Sequence, residues 1–263
     1  MWNIVKYQDT IYYKDELNDD FANMNIEFNP LPKSYSYVSK KPTRKFMDFV
    51  VYRIIARPAT HLYMRLKFLY KTKNRKILKS LRHEGCFIYA NHTLAAGDAF
   101  STNNVFKLKK NYIITGKETA SLTLILPLLR AVGSLPLNDS FKAKKELYET
   151  VNLRIKQHRS VTIFPEAHIW PYYTKIRPFV NDSFKYPARM NAPIITLTNC
   201  YQKKLIGKRP KIKGYLAGPF YPDMNLPIQE RAQKLRDEAY SSMVENANKY
   251  STYNYYNYVK KED

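Results

Sequence analysis

The sequence predicts an α/β protein, a largely parallel sheet covered by helices and preceded by basic amphipathic helices. Three observations predict it. From residue 85 onward short apolar runs alternate with longer helical stretches, the pattern of parallel strands joined by crossover helices. The chain has 263 residues and is 44% apolar, enough for one large α/β domain with a substantial core. Between residues 44 and 84 cations and aromatic residues crowd together before the alternation begins.

Charge narrows the partners. Against 44 Lys and Arg stand 22 Asp and Glu, a formal net charge of +22, which calls for nucleic acid, an anionic membrane surface or phosphorylated substrates. No zinc spacing, RNA-binding aromatic motif or helix-turn-helix signature accompanies it, so nucleic acid is not expected. The two cysteines, Cys86 and Cys200, sit in apolar strand-like runs and imply neither a metal site nor a disulfide framework. A reducing cytosol suits them. The N-terminus has no signal or transit pattern, and no apolar run approaches the ~18–20 residues needed to span a bilayer. Membrane contact is therefore expected to be interfacial.

Residues 1–43 are an acidic segment followed by a proline-containing linker. Asp9, Asp15, Glu16, Asp19, Asp20 and Glu27 face only Lys6 and Lys14, so this stretch is expected to fold back on a basic face. Pro30, Pro32 and Pro42 mark the linker. Residues 44–84 are basic helices: from Arg44 to Arg82, Asp48 is the only acid among many Lys and Arg, and Pro58 is expected to divide two helices. Basic, aromatic-rich helices suit a membrane surface, their long stems snorkelling to phosphates; ordinary helices packing on a sheet are the alternative. Residues 85–249 form the α/β domain. Strands are expected at 86–90, 112–115, 134–137, 161–164, 193–197 and 214–220. Helices are expected at 118–131 with a kink at Pro127, at 139–158 with an Asn138/Asp139 cap, and at 227–249. The Tyr/Asn-rich tail, 250–263, either frays or lies at a membrane interface.

In sheets of this kind functional groups gather beyond the carboxyl ends of strands. His92 and Glu166 both follow such ends. Of the five histidines, His61 and His158 read as solvated and His83 as a helix-end residue. His92 differs, with Asn91 beside it and Asp98 within loop reach. An aspartate accepting the Nδ1 proton would fix the tautomer and leave Nε2 free to take a proton from an alcohol. No Gly-x-Ser-x-Gly elbow is present and neither cysteine has a nucleophile's setting, so direct attack by a substrate hydroxyl is expected. Taken alone, the pair reads as structural.

Its companions change that. Asn91-His92-Thr93 with Asp98 is followed in order by Gly116-Lys117-Glu118, Gly133-Ser134-Leu135-Pro136, Phe164-Pro165-Glu166 and Ala192-Pro193-Ile194-Ile195. Together these resemble the motif blocks of the glycerolipid acyltransferase superfamily over residues 85–200, and the helices before residue 85 resemble its interfacial docking element. The resemblance implies a glycerol-phosphate acyltransferase-like fold and an O-acyltransferase. His92 would be the general base, oriented by Asp98, and Glu166 would position the acceptor. The acceptor would be a lysophosphatidate-like glycerophospholipid, and the donor acyl-CoA or acyl carrier protein. No metal or other cofactor is implied. The enzyme would sit as a peripheral protein on an anionic membrane surface, at the cytoplasmic face.

Two departures stand out. One residue more than the family pattern separates His92 from Asp98, and Gly97 is expected to absorb it as a bulge. The family's two arginines, associated with the acceptor phosphate, fall here at Asp139 and Ile169. Lys175 and Arg177 are the candidate replacements and Lys117 a further acceptor contact, although a general basic surface would contain them too. His168 reads as a second acceptor-contacting group or as a polar residue satisfied by its loop. A basic non-enzymatic module binding anionic lipid or nucleic acid, or an acyltransferase acting on a different alcohol, remain the alternatives.

Overall fold

Apolar runs of four to nine residues become strands buried on both faces, and their order sets where the site lies. The computed structural model describes residues 10–21, 31–32, 35–39 and 41–261. Strand β1, Thr10–Tyr13, comes first. Helix α1, Pro42–Val50, runs through a π-helical turn, Val51–Ala56, into α2, Arg57–Phe68. Then follow β2 (Lys71–Lys73), β3 (Cys86–Ala90), α3 (Ala96–Asn103), β4 (Asn111–Thr115), α4 (Leu126–Ala131) and β5 (Ser134–Pro136). The chain continues through α5 (Phe141–Lys156), β6 (Ser160–Ile163), α6 (Lys185–Met190), β7 (Ile194–Gln202), β8 (Lys211–Phe220), α7 (Ile228–Tyr250) and β9 (Asn257–Lys260).

Seven strands form one sheet in the order β2-β8-β7-β3-β6-β4-β5, parallel throughout except for the β7–β8 pair. The expected largely parallel, helix-covered sheet is therefore present. Side chains of β3 alternate between its two faces. Phe87 and Tyr89 enter one core with Leu147 and Val151 of α5 and Leu235 and Met243 of α7. Cys86, Ile88 and Ala90 enter another with Leu81, Val105 and Phe106. With the central strands covered on both sides, open chemistry is confined to the strand ends.

Several elements differ from expectation. Pro58 does not divide two helices; it lies in the first turn of α2, within one continuous helical rod. Proline lacks the N–H and crowds the carbonyl four residues back, and the π-helical turn before it relieves both. The rod ends at Phe68, where Leu69 takes a left-handed conformation, and residues 71–73 join the sheet edge. Between β4 and β5, helix 118–131 becomes a 3₁₀ turn at Lys117–Ser121 and a short α4 that Pro127 helps to start. The cap of α5 is Ser140, whose Oγ accepts from Ala143 N at 3.2 Å. Strand β7 runs to residue 202, past its expected end at 197.

The tail does not fray. Its strand β9 pairs in parallel with β1, and together they form a separate two-stranded sheet. Of the acidic N-terminal segment, residues 10–21 lie against the loop that follows β6: Phe21 N donates to Ile169 O at 3.1 Å, and Trp170 Nε1 donates to Asp19 O at 2.7 Å. Asp9, Glu27, Lys6 and Pro30 lie outside the described residues. Along the α1–α2 rod Phe46, Met47, Phe49, Ile54, Ile55, Leu62 and Leu66 are exposed. Among the described residues no helix is long and apolar enough to cross a membrane.

Candidate active site

Strand β3 delivers His92 two residues past its end, and α3 begins just after, so that Asp98 in its first turn points back at the ring. His92 Nδ1 and Asp98 Oδ2 are 2.8 Å apart. Asp98 is 0% exposed, while the His92 side chain keeps 18% of its surface open. The carboxylate is held from several sides. Leu94 N donates to Oδ2 at 2.8 Å, and Asn199 Nδ2 lies 3.4 Å from Oδ1. An Asp98 carboxylate accepting from Nδ1 selects the tautomer in which Nε2 is the acceptor nitrogen of the ring. The ring itself stacks on Phe164, with centroids 4.5 Å apart and planes 16° apart.

Gly97 does not supply the bulge expected of it. The extra residue is absorbed at Ala95, which adopts φ 49° and ψ −123°. Gly97 N donates to Leu94 O at 2.9 Å, closing a type II′ turn with Ala95 at its first central position. That turn aims Asp98 at the ring.

Glu166 stands next to this pair and is buried. Its Oε2 accepts from His92 N at 2.9 Å and its Oε1 accepts from Arg177 N at 3.0 Å. The Arg177 guanidinium lies 3.5 Å from Oε2. Burial pushes the Glu166 carboxyl above its ordinary value, opposed by Arg177 and by the two backbone N–H groups. The loop after Glu166 is tied to the histidine motif through backbone bonds, Trp170 N to His92 O at 3.1 Å and Tyr172 N to Thr93 O at 2.9 Å.

Arg177 is placed differently from the expectation that it faces an acceptor phosphate. It is 1% exposed, and its guanidinium is spent inside the protein, on Glu166, on Glu16 O at 3.3 Å and on His168 O. Its face also covers Trp170, 5.0 Å from the ring centroid. His168 turns away from Glu166 towards the N-terminal segment, its Nδ1 3.6 Å from Asp20 Oδ2. Lys175 is exposed on the same loop. Lys117 follows the end of β4 and forms an ion pair with Asp139, the residue standing at one of the missing arginine positions. The structure thus gathers His92, Asp98 and Glu166, sets Arg177 behind Glu166, and leaves Lys117, Lys175 and His168 at the periphery.

Asn199 escaped the sequence reading. Its backbone N donates to Asn91 Oδ1 at 2.8 Å, its carbonyl accepts from Asn91 Nδ2 at 3.1 Å, and its side chain also lies 3.2 Å from Ser101 Oγ and 3.1 Å from Tyr70 OH. The signal was an amide between Leu197 and Cys200, just past the expected strand end, where burial without a partner would be costly. Neither cysteine is a nucleophile: burial pushes both thiols up to about 12. Among the described residues no cluster of His, Cys, Asp or Glu could hold a metal ion.

The comparisons with known proteins support an acyltransferase. The family model described as Acyltransferase matches residues 71–199, which supports a place in the glycerolipid acyltransferase superfamily. Among solved structures it is similar to the 1-acyl-sn-glycerophosphate (LPA) acyltransferase PlsC from Thermotoga maritima, with a TM-score of 0.53 and 13% identity over 80% of this chain and 89% of that one. No curated protein matches it by sequence.

Proposed function

We propose that the protein transfers a fatty acyl group from acyl-CoA or acyl carrier protein to the hydroxyl of a lysophosphatidate-like glycerolipid at an anionic membrane surface. The observation that carries this reading is the 2.8 Å contact between His92 Nδ1 and the fully buried Asp98, with the His92 side chain partly exposed and its backbone N bonded to Glu166. In the step proposed, the acceptor hydroxyl gives its proton to His92 Nε2 while its oxygen attacks the thioester carbonyl. The tetrahedral adduct then expels the thiolate, which takes the proton back from the imidazolium. Asp98 stabilises the imidazolium between these transfers. Glu166 orients the glycerol portion and fixes the backbone of His92. Arg177 acts through Glu166 as a positioning residue, leaving Lys175, exposed on the same loop, as a cation for an acceptor phosphate, whereas Lys117 is paired with Asp139. The exposed apolar residues of α1 and α2, set among arginines and lysines, support an interfacial location.

Purified protein supplied with labelled acyl-CoA and a panel of lysolipids tests the assignment. His92→Ala is expected to lower kcat by about 10²–10⁴ with little change in KM, and Asp98→Asn to lower it within the same range. Transfer by His92→Ala at the wild-type rate would remove His92 from the chemistry.

A further inference from the structure

The β7–β8 hairpin has a tip that neither the sheet nor the site explains. Ala90 pairs with Leu197, and β7 continues five residues beyond that level to Gln202. At 3.3 Å per residue the hairpin therefore stands about 16 Å past the end of β3, on the side where His92 lies. The connecting loop, residues 203–210, reads Lys-Lys-Leu-Ile-Gly-Lys-Arg-Pro. At its apex Leu205 is 106% exposed and Ile206 88%. Gly207, at φ 84°, turns the chain there in open space. From Cys200 to Pro222 the sequence contains no acid, yet it carries Lys203, Lys204, Lys208, Arg209, Lys211 and Lys213.

The stem of this hairpin is bound to the α1–α2 rod. Tyr201 and Ile212 share a buried cluster with Met64 and Phe68 of α2 and with Tyr70, and Lys204 Nζ donates to Lys67 O at 2.7 Å. The tip thus adjoins the last turns of α2, where Leu62, Leu66 and Leu69 are also exposed. Two apolar side chains at a protruding apex, ringed by cations and continuous with an exposed apolar helix face, match the chemistry of an anionic bilayer: acyl chains for the apex, lipid phosphates for the ring.

We infer that the 203–210 tip is a second membrane-inserting element, which plunges Leu205 and Ile206 below the headgroups of an anionic bilayer and holds the mouth of the His92 site at the lipid surface. It rests on the interfacial location proposed above, and it extends that location from the helical rod to the sheet.

Ile206→Cys tests it directly, because both native cysteines are buried and the new thiol alone is accessible to an environment-sensitive fluorophore. Phosphatidylglycerol vesicles are expected to shift the probe's emission to the blue, with quenching by lipids brominated on their acyl chains. A probe that stays in its aqueous state on protein co-sedimenting with the vesicles would overturn the inference. So would a failure of the protein to bind such vesicles, or a probe response to acyl carrier protein alone. In a second arm, Leu205→Asp/Ile206→Asp is expected to weaken vesicle binding about 10²- to 10⁴-fold, since full burial of each of the two side chains is worth roughly one to two decades. The same variant should keep wild-type turnover on acceptor dissolved below its critical micelle concentration. Absence of turnover by the wild-type protein on every acceptor would reject the proposed reaction while leaving the probe result to decide the tip.

Discussion

Glu166 is pulled in two directions by its surroundings. Burial favours its neutral form, whereas Arg177 and two backbone N–H groups favour the carboxylate, and burial prevails. A carboxyl whose folded pKa exceeds the unfolded value binds protons more tightly in the folded state. Its stabilising contribution is fully present below the unfolded value of about 4.5 and is lost as pH rises through the folded one. Wild-type protein should therefore lose stability across that interval relative to Glu166→Gln, whose amide does not titrate. Urea unfolding of both proteins at closely spaced pH values would show it, and parallel pH profiles would refute it. At this scale the sequence showed the dyad because its members are six positions apart and end a predictable strand. It did not show that Asn199, 101 positions after Asp98, completes the cradle, because that contact exists only once β3 and β7 are paired. Nor did it reveal that Arg177 is enclosed, since the segment enclosing it lies more than 150 positions away in the chain.

Among the elements, the turn joining β3 to α3 carries a conformation that glycine adopts without strain and alanine does not. At φ 49° the Ala95 methyl is crowded, a cost of roughly 1–2 kcal/mol for an L-residue. Ala95→Gly relieves that crowding but returns roughly 0.4–1 kcal/mol as extra freedom of the unfolded chain. The net expectation is a gain of about 0.5–1 kcal/mol, read as a higher urea midpoint at unchanged slope. A lower midpoint would mean that the turn is not the one described. Element boundaries were legible where an apolar run and its flanking turn residues agreed, as for β3, β4 and α7. They were not legible where backbone pairing alone makes the strand. The Lys-Thr-Lys of β2 and the Asn-Tyr-Val-Lys of β9 carry no apolar alternation, and each becomes a strand only because a partner edge is offered to it.

For the molecule as a whole, the two ends of the described chain converge on one loop. Residues 10–21 hold it through Asp19, Asp20 and Phe21, and the tail holds it through Tyr258, which stacks on Trp170 at 5.1 Å and donates to Pro171 O at 2.8 Å. One aromatic stack contributes roughly 0.5–1.5 kcal/mol and one hydrogen bond about 1 kcal/mol, so losing the tail should let the loop open far more often. Removal of residues 253–263 is expected to speed tryptic cleavage after the exposed Lys175 about tenfold or more, while the His92–Asp98 contact persists. Unchanged cleavage would show that the N-terminal segment holds the loop unaided.

This arrangement has a consequence for the order in which the protein is made. His92, Asp98, Glu166 and Asn199 all emerge from the ribosome before residue 200, so a nascent chain already owns every part of the dyad and its cradle. The strand that fastens the loop beside Glu166 is synthesised some 60 residues later, at Asn257–Lys260. Until β9 is made, that loop has only the contacts of residues 10–21 to hold it, so the later strand completes a fastening that the N-terminal segment begins.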